Sequence, residues 1–410
     1  MKVAQIIRRF TFSEWGGTEN VVWNSSRELN RQGVATEILA TQALNSTAQE
    51  EIENLTIRRF PYFYPYFPLS PARRLALDKK GGNPLVPDLE KYLVREKFDL
   101  LHCHNLGRMA ELTARAAERL GAPYVLSLHG GCLEVPELER QELLRPLRHT
   151  FSYGGIWERL CHLRRNVLQN AAGIICVGEN EFDLFKEKFP DKKILYFPNG
   201  VNPEKYASPA GFSWRNELHL ATDCELILNV SRLDYQKNQL LLLKMAVELR
   251  ESGKNFHLLL IGPVSSQWYF KELQKFVGEN NLGDFVTIIP GLKPDDVKLI
   301  AAYQQADLFI LPSAHEPFGI VVLEAWSAKL PVVTSDVGGL GRLVTDRVNG
   351  WKFTSGSLPE LLRAYDCSHL AERARVVDCG YDLVHKNYDW RIVGGKLADF
   401  YREVIDAKRG

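Results

Sequence analysis

Short apolar runs alternate with longer amphipathic stretches along this chain of 410 residues. The alternation is typical of β-α-β units, because a strand inside a parallel sheet is apolar throughout whereas its crossover helix is apolar on one side only. We predict strands at Val3–Ile7, Ala35–Ala40, Leu100–His102, Tyr124–Leu128, Gly173–Val177, Ile194–Phe197, Leu226–Val230, Leu258–Ile261, Val286–Ile289, Leu308–Leu311 and Val332–Ser335. Both halves of the chain contain such runs, so the predicted fold class is α/β with two parallel sheets.

The predicted domain boundary is Pro198-Asn199-Gly200, a turn signal that follows a strand and precedes a polar stretch. It divides the chain into residues 1–200 and 201–389, in keeping with a prior of about 150 residues per domain. The last stretch, about residues 390–410, is a predicted helix with one apolar face. The pattern alone leaves open whether that helix packs on the second domain or elsewhere.

Composition and charge exclude several classes of protein. The 51 basic and 50 acidic residues give a net charge of +1, which argues against a nucleic-acid coat, and no apolar run is long enough to span a bilayer. The seven cysteines include no C-x-x-C pair, so a disulfide framework or a zinc module is not expected. We therefore expect a cytoplasmic protein, with peripheral contact at the inner face of the membrane left open.

A glycine pair follows the first predicted strand, in the segment Glu14-Trp15-Gly16-Gly17-Thr18-Glu19. Glycines at a helix start let backbone N–H groups approach a diphosphate, and the helix N-terminus adds partial positive charge. The segment does not complete the G-x-G-x-x-G dinucleotide pattern. It indicates either a phosphate contact or a plain turn from strand to helix.

Two cations, Arg232 and Lys237, stand in the stretch that follows strand Leu226–Val230. An open α/β sheet binds its ligands at the carboxyl ends of its strands, and a guanidinium with an ammonium suits a diphosphate. Solvation of two surface side chains is the alternative.

Two carboxylates flank a predicted helix start in His315-Glu316-Pro317-Phe318-Gly319-Ile-Val-Val-Leu-Glu324. Gly319 favours free backbone N–H groups at the first helical turn, and a loop carboxylate such as Glu316 accepts hydrogen bonds from sugar hydroxyls. The alternative is a pair of solvated acidic residues near a helix N-terminus.

Two further segments depart from this background. The segment Phe60–Phe67 is rich in aromatic residues and interrupted by prolines, which predicts a loop that meets a saccharide or a membrane, or that packs on its own domain. A basic amphipathic helix with Arg159, Arg164 and Arg165 carries Ile156, Leu160, Leu163, Val167 and Leu168 on one side. It is either a membrane-surface helix or a core helix.

Together these motifs resemble a known family. The arrangement Glu316-Pro-Phe-Gly-(x4)-Glu324 is similar to the E-x7-E motif of retaining glycosyltransferases of family 4, and Arg232 and Lys237 match its phosphate-binding Arg and Lys. Gly16-Gly17, His129-Gly130, Pro198-Asn199-Gly200-Val201 and the run from Val332 to Gly339 with Asn349-Gly350 fit as well. One departure is Gly338-Gly-Leu-Gly-Arg342, which lacks the acidic residue that commonly follows the glycine pair.

The resemblance implies a GT-B fold, with two Rossmann-like domains facing across a cleft and a C-terminal helix that crosses back to the N-terminal domain. The N-terminal domain would bind the acceptor and residues 201–389 the nucleotide-sugar donor. Glu324 would bind the ribose hydroxyls and Glu316 the sugar hydroxyls. Backbone N–H groups of Phe318, Gly319 and Ile320 would hold the sugar and its phosphate. Arg232 and Lys237 would stabilise the departing diphosphate, Gly16-Gly17 would approach it, and His129 would lie near the reacting centre.

The implied function is transfer of a sugar from a nucleotide-diphosphate sugar, with UDP favoured, to an acceptor hydroxyl with retention. No cofactor or metal is expected, since the chain has no Asp-x-Asp motif. The expected acceptor is a saccharide or a lipid-linked saccharide in polysaccharide, glycolipid or glycoconjugate biosynthesis. The alternatives are a catalytically silent nucleotide-sugar-binding subunit and another GT-B enzyme, such as a sugar-nucleotide epimerase or a phosphorylase.

Overall fold

The structure is a computed structural model that describes residues 1–12, 16–129, 144–156, 166–293 and 295–409. The chain divides into two compact units, Met1–Pro198 with Trp390–Gly410 and Asn199–Asp389. In the described residues, no helix is both long and apolar enough to cross a membrane.

The first unit is built on a mostly parallel sheet. Its strands are β1 (Lys2–Arg9), β2 (Ala35–Thr41), β3 (Gln49–Ile52), β4 (Leu55–Phe60), β5 (Tyr66–Phe67), β6 (Leu100–Cys103), β7 (Tyr124–Leu128), β8 (Phe151–Ser152), β9 (Gly173–Cys176) and β10 (Lys193–Tyr196). Its helices are α1 (Gly17–Arg31), α2 (Pro71–Lys79), α3 (Pro87–Glu96), α4 (Arg108–Leu120), α5 (Val167–Asn170) and α6 (Glu179–Lys188), with a 3₁₀ turn at Arg145–Leu147. The sheet order among described strands is β10-β9-β7-β6-β1-β2-β4-β3, with only β3 antiparallel, while β5 and β8 form a separate two-stranded ribbon.

The second unit has a wholly parallel sheet in its described residues. Its strands are β11 (Glu225–Val230), β12 (Phe256–Ile261), β13 (Val286–Ile289), β14 (Leu308–Leu311), β15 (Val332–Ser335) and β16 (Trp351–Phe353). The helices are α7 (Trp214–Glu217), α8 (Gln239–Glu251), α9 (Gln267–Glu279), α10 (Val297–Gln305), α11 (Ile320–Ser327), α12 (Gly338–Leu343), α13 (Leu358–Cys367) and α14 (Arg373–Leu383), with a 3₁₀ turn at Pro203–Tyr206 and a π turn at Val384–Tyr388.

Both sheets have the strand order of nucleotide-binding domains. The order β13-β12-β11-β14-β15-β16 is the 3-2-1-4-5-6 arrangement. The strands that follow β11 are added on one side of it up to β13, and those from β14 onward are added on its other side, so the strand order reverses between β11 and β14. In the first unit the equivalent reversal lies between β1 and β6. Ligands of such sheets bind at the carboxyl ends of the strands that flank the reversal, so the topology singles out the loops after β11 and β14 and those after β1 and β6.

The last helix, α15 (Trp390–Arg409), belongs to the first unit although it follows the second in sequence. Its apolar face, which includes Val393, Leu397 and Tyr401, is buried in a cluster with Leu29 of α1 and Val3 of β1. Burial of that face explains the helical spacing of its apolar residues, and the helix crosses back to the N-terminal unit as the resemblance implied.

Candidate functional site

The loops that follow β11 and β14 lie side by side, because these strands pair in parallel at Ile227 with Leu308 and at Leu228 with Phe309. The backbone N–H of Ala314 donates to the carbonyl of Gln236 across 2.7 Å, so the two loops are joined directly. The first loop carries Arg232 and Lys237, and the second carries Glu316. The structure thus brings together three site residues that are up to 84 positions apart.

Lys237 and Glu316 form the central ion pair of this site. The Nζ of Lys237 donates to Oε2 of Glu316 at 2.7 Å, and the two side chains are only 11% and 14% exposed. Arg232 is more open, with half of its side chain exposed, and its guanidinium lies 3.3 Å from the buried Asp234 carboxylate. Two cations and a carboxylate therefore converge at the carboxyl ends of the central strands β11 and β14.

The loop after β11 has a fixed shape because its polar atoms are used internally. The Oδ1 of Asp234 accepts the backbone N–H groups of Gln236 and Lys237 at 3.1 and 3.2 Å, which closes a tight turn. The Nε2 of Gln239 donates to the hydroxyl of Ser231 and to the carbonyl of Arg232, each at 2.8 Å. These bonds hold the backbone that carries both cations.

Glycines shape the loop around Glu316. Gly319, at the N-cap of α11, has φ +94°, and Gly338 has φ +47°, both in the left-handed region that favours glycine. The N–H of Gly339 donates to the Glu316 carbonyl at 2.8 Å, and a Cβ on Gly338 would lie 2.6 Å from that same oxygen. The Gly338-Gly339 pair therefore packs against Glu316, so a close approach of two backbones explains this part of the motif.

Phe318 contributes backbone rather than side chain to the loop. Its ring is buried and packs edge to face against Tyr388 at 6.0 Å. Ile320 opens α11, and the first N–H groups of a helix have no acceptor within the helix itself. The N-terminus of α11 thus presents amide donors beside Glu316.

Glu324, in α11, is held by tyrosine hydroxyls. Its Oε2 accepts from the Tyr303 hydroxyl at 2.7 Å, and Tyr206 also hydrogen-bonds to it. Burial raises the pKa of Glu324, while these hydroxyl donors act in the opposite direction. Sequence reasoning missed both tyrosines, because they lie on α10 and on the 3₁₀ turn and no local pattern links them to Glu324.

In the first unit, Gly16 is the N-cap of α1 and Gly17 its first residue. A Cβ on Gly16 would lie 2.8 Å from the carboxylate of Glu19, which pairs with Arg9 at 2.8 Å. A Cβ on Gly17 would meet no heavy atom of the described residues within 4 Å, so those residues leave the space beside this helix start open. Glu14 and Trp15 of the same motif lie outside the described residues.

His129 follows β7, and its Nε2 lies 3.0 Å from Nδ1 of the buried His104. Burial lowers the pKa of His129 to about 4, so the ring is neutral at pH 7. Its sequence neighbour Gly130 lies outside the described residues. Sequence reasoning missed His104, whose only signal was its place directly after strand β6.

The aromatic segment Phe60–Phe67 packs largely on its own domain. Tyr62 and Tyr64 both donate to Oδ1 of Asp78 in α2, and Phe60 packs against Tyr92. Phe67, by contrast, is 70% exposed. Of the predicted basic helix, Arg159, Arg164 and Arg165 lie outside the described residues.

Comparison with known proteins agrees with this geometry. Residues 212–366 match the model of glycosyl transferases group 1, and residues 15–205 match that of Glycosyltransferase Family 4. The chain belongs to glycosyltransferase family 4. The family resemblance predicted from the motifs is thereby confirmed, and so is glycosyltransferase activity as the general function.

Two curated relatives illustrate the range within the family. The chain is 25% identical to a GDP-mannose:cellobiosyl-diphosphopolyprenol alpha-mannosyltransferase of Xanthomonas oryzae, with 100% of this chain and 98% of the relative aligned. It is 28% identical to the lipopolysaccharide 1,2-N-acetylglucosaminetransferase of Salmonella typhimurium, over 58% of this chain and 64% of the relative. Among solved structures, the Anabaena protein HepE in complex with UDP superposes with a TM-score of 0.71 at 20% identity, covering 98% of this chain and all of that one. The GT-B fold is therefore shown.

Proposed function

We propose that this glycosyltransferase moves a sugar from a nucleotide-diphosphate sugar to an acceptor hydroxyl, with retention of the anomeric configuration and without a metal ion. The observation that carries the proposal is the convergence of Lys237, Arg232 and Glu316 at the switch point of the second sheet, beside the N-terminus of α11. Cations and helix amides at that place suit a diphosphate, and the carboxylate suits sugar hydroxyls.

In this proposal each group has one role. Lys237 and Arg232 stabilise the negative charge that develops on the leaving diphosphate, which is the electrostatic part of catalysis. Glu316 accepts hydrogen bonds from the donor sugar, and Glu324 from the ribose. The bond between the anomeric carbon and the phosphate oxygen breaks, and the acceptor oxygen bonds to that carbon on the same face. The acceptor hydroxyl gives its proton to the departing phosphate oxygen, and nucleoside diphosphate is released. We further propose that Gly17 and His129 contact ligand from the first unit, which binds the acceptor.

The donor proposed here is a UDP-sugar. The full-length relative from Xanthomonas oryzae is named for GDP-mannose, so GDP-sugars are the principal competitor. A thermal-shift screen with UDP, GDP and ADP and their common sugars tests the base, because ligand at 100 times Kd adds about 2.7 kcal/mol of stability. Stabilisation by GDP compounds alone would overturn the choice of UDP.

A surface in the first unit supports a lipid-linked acceptor. Phe67 and Phe151 face each other across the β5–β8 ribbon and are 70% and 68% exposed. Next to the ribbon in sequence, α2 carries the exposed Arg74 and lies against the turn Arg145–Leu147, whose Arg145 is also exposed. Exposed aromatic rings beside cations suit the interface of an anionic bilayer.

We therefore propose peripheral contact with an anionic membrane, which fits a relative named for a diphosphopolyprenol acceptor. Co-sedimentation of the full chain with vesicles of phosphatidylglycerol and phosphatidylcholine should be lost in Phe67→Ser/Phe151→Ser. The matched control Trp268→Ser removes an equally exposed aromatic ring, 70% exposed, from the second unit and should sediment like the parent. Equal sedimentation of all three proteins would contradict the membrane contact.

The central test of the function is Glu316→Gln. We expect the rate of sugar transfer to fall at least 100-fold while the protein stays folded, because the change keeps the size of the side chain and removes the negative charge of the carboxylate. Glu279→Gln, an exposed change in α9, is the matched control. Nucleotide-sugar binding in the parent without hydrolysis or transfer across an acceptor panel would favour the silent-subunit alternative.

A further inference from the structure

A chain of buried polar side chains runs through the first unit from the last helix to His129. Its members come from β1, the end of β6, the end of β7 and α15: Gln5, His102, His104, Ser127, His129 and Tyr401. All except His129 are at most 3% exposed. Buried polar atoms at this density require that every donor face an acceptor, so the proton positions in the chain depend on one another.

Gln5 lies at the middle of the chain and links two branches. Its Nε2 donates to the Tyr401 hydroxyl at 3.0 Å, and its Oε1 lies 2.7 Å from Nε2 of His104. The Tyr401 oxygen lies 2.6 Å from Nδ1 of His102, whose Nε2 lies 2.7 Å from the Ser127 hydroxyl. Among the described residues, the Tyr401 hydroxyl has Gln5 as a donor and His102 as its other partner, so we assign the hydroxyl proton to the bond with Nδ1 of His102.

The second branch fixes the protons on the other two rings. The Oε1 of Gln5 can only accept, so Nε2 of His104 carries the proton and its Nδ1 is a bare acceptor. The ring of His129 then donates from Nε2 to that Nδ1 across 3.0 Å. A neutral imidazole carries one proton, so Nδ1 of His129 is left as a lone-pair acceptor.

We propose that Gln5, His104 and Tyr401 are positioning residues that hold His129 as the neutral Nε2–H tautomer, with Nδ1 open to accept a hydrogen bond from a hydroxyl of the bound sugar. In the described residues, no hydrogen bond uses Nδ1 of His129. Burial, which lowers the pKa of all three histidines, works in the same direction by keeping the rings uncharged. The helix that follows the donor domain thus sets the chemistry of a residue in the acceptor domain.

The tautomer of His129 is independent of the proposed function, whereas its contact with a sugar rests on the proposed function. Long-range ¹H–¹⁵N spectra of the histidine-labelled full chain at pH 7 report which ring nitrogen carries the proton, and His129→Asn assigns the signal. We expect a protonated Nε2 and an unprotonated Nδ1. A protonated Nδ1 would mean that the hydrogen bonds between Gln5, His104 and His129 run in the opposite direction. That result, or a charged ring, would overturn the proposal.

Variants at Gln5 separate positioning from packing. Gln5→Met keeps the length of the side chain but offers His104 no acceptor, so the His129 signals should show both tautomers. Gln5→Glu still accepts from His104 and from Tyr401, so it should keep the parent tautomer even if Gln5→Met does not fold. Tyr92→Phe removes a buried hydroxyl that donates to Glu37 and takes no part in this hydrogen-bond network, so it should leave the His129 tautomer unchanged. An unaltered His129 tautomer in folded Gln5→Met would refute the positioning role.

Addition of the donor tests the sugar contact. The Nδ1 resonance of His129 should shift when a nucleotide sugar is added and stay in place when the nucleoside diphosphate alone is added. In Gln5→Met we expect kcat to fall about tenfold, with little change in the KM of the donor. Donor binding without movement of Nδ1 would overturn the contact proposed for His129 and leave the proposed transfer reaction and its groups in the second unit intact. Absence of all nucleotide binding would instead refute the function and leave the tautomer standing.

Discussion

The Nζ of Lys237 lies 2.7 Å from Oε2 of Glu316, with both side chains largely removed from solvent. In this arrangement each charge is neutralised by the other. The proposed donor brings a diphosphate and hydroxyls, so it offers new partners to both. The ion pair therefore keeps two charged groups of the site in place before the ligand arrives.

A first prediction concerns this pair and stability. Lys237→Met leaves the largely buried Glu316 without its cation, and loss of one partner of a buried pair typically costs about 3–5 kcal/mol. Lys237→Met/Glu316→Gln removes both charges and should cost clearly less. Urea unfolding of the single and double variants measures the difference. Lys275→Met, which breaks an exposed pair with Glu279, should change the unfolding free energy by less than about 0.5 kcal/mol. A double variant no more stable than Lys237→Met would contradict the prediction.

A second prediction concerns the hydroxyls that hold Glu324. Burial raises the pKa of Glu324 and the Tyr303 hydrogen bond lowers it, so Tyr303→Phe should raise it further. The carboxylate binds ribose hydroxyls best when ionised, so donor affinity should fall as pH drops, and this fall should begin at higher pH in the variant. Calorimetry between pH 5 and 8 with a nucleotide sugar, whose diphosphate does not titrate there, measures the shift.

The matched control is Tyr365→Phe, which removes a hydroxyl bound to Glu225 in the same unit. Its affinity profile should follow that of the parent. Coincident profiles for the parent and Tyr303→Phe would show that the hydroxyl does not tune the proposed ribose contact.

The strands of both sheet centres were predictable from sequence, and β7, β13, β14 and β15 have the predicted bounds. β7, β14 and β15 are buried along their whole length, so a continuous apolar run is their signature, whereas β13 lies at the edge of its sheet and is only partly buried. The hairpin of β3 and β4 was missed, since β3 (Gln49–Ile52) lies at the sheet edge with charged residues. β3 has one neighbour and is exposed or half-buried at every residue, so no apolar run in its sequence sets it apart.

The same distinction applies to the site. Arg232, Lys237, Glu316 and Glu324 could be singled out because each stands close to a strand end or a helix start. Tyr303 and Tyr401 could not, since each meets its partner only through tertiary packing, Tyr401 across 396 positions from Gln5. Local patterns thus identify the groups proposed to meet a ligand, whereas the groups proposed to orient them can be found only in the folded chain.

A third prediction concerns Gly17→Ala. The added methyl group meets no heavy atom within 4 Å in the described part of the chain, so the fold should tolerate it. Alanine also favours a helix over glycine by up to about 1 kcal/mol, so thermal stability should stay the same or rise. If a ligand approaches this backbone closely, kcat/KM should nevertheless fall tenfold or more. Gly278→Ala in α9, where a methyl group also meets open space, is the control. Full activity in Gly17→Ala would refute the ligand contact.

A fourth prediction concerns metal removal. In the proposed mechanism Arg232 and Lys237 neutralise the diphosphate, so transfer should continue at the parent rate in EDTA after dialysis. Arg232→Ala/Lys237→Ala should weaken binding of nucleoside diphosphate by several kcal/mol, at about 1.5–3 kcal/mol for each charged hydrogen bond. Loss of transfer in EDTA that added Mg²⁺ restores would contradict the metal-independent mechanism.

A fifth prediction concerns acid stability of the first unit. Burial lowers the pKa of His129 from its ordinary 6.5 to about 4, and it holds the pKa values of His102 and His104 well below 6.5. Below about pH 6.5 the unfolded chain therefore binds more protons at these histidines than the folded chain does. The stability that these three neutral histidines contribute is fully present above about pH 6.5 and is lost as pH falls. Each histidine adds up to about 1.4 kcal/mol per pH unit to the slope of the unfolding free energy.

Urea unfolding between pH 7 and 4 measures this loss, and His129→Asn should reduce the slope by the share of one histidine. His369 provides the control of opposite sign, because its hydrogen bond to Glu225 raises its pKa. The stability that His369 contributes is present below about pH 6.5 and is lost as pH rises through its raised folded-state pKa, so His369→Gln should lower stability more at pH 6 than at pH 8. A slope in His129→Asn equal to that of the parent would show that His129 titrates alike in the folded and unfolded chains.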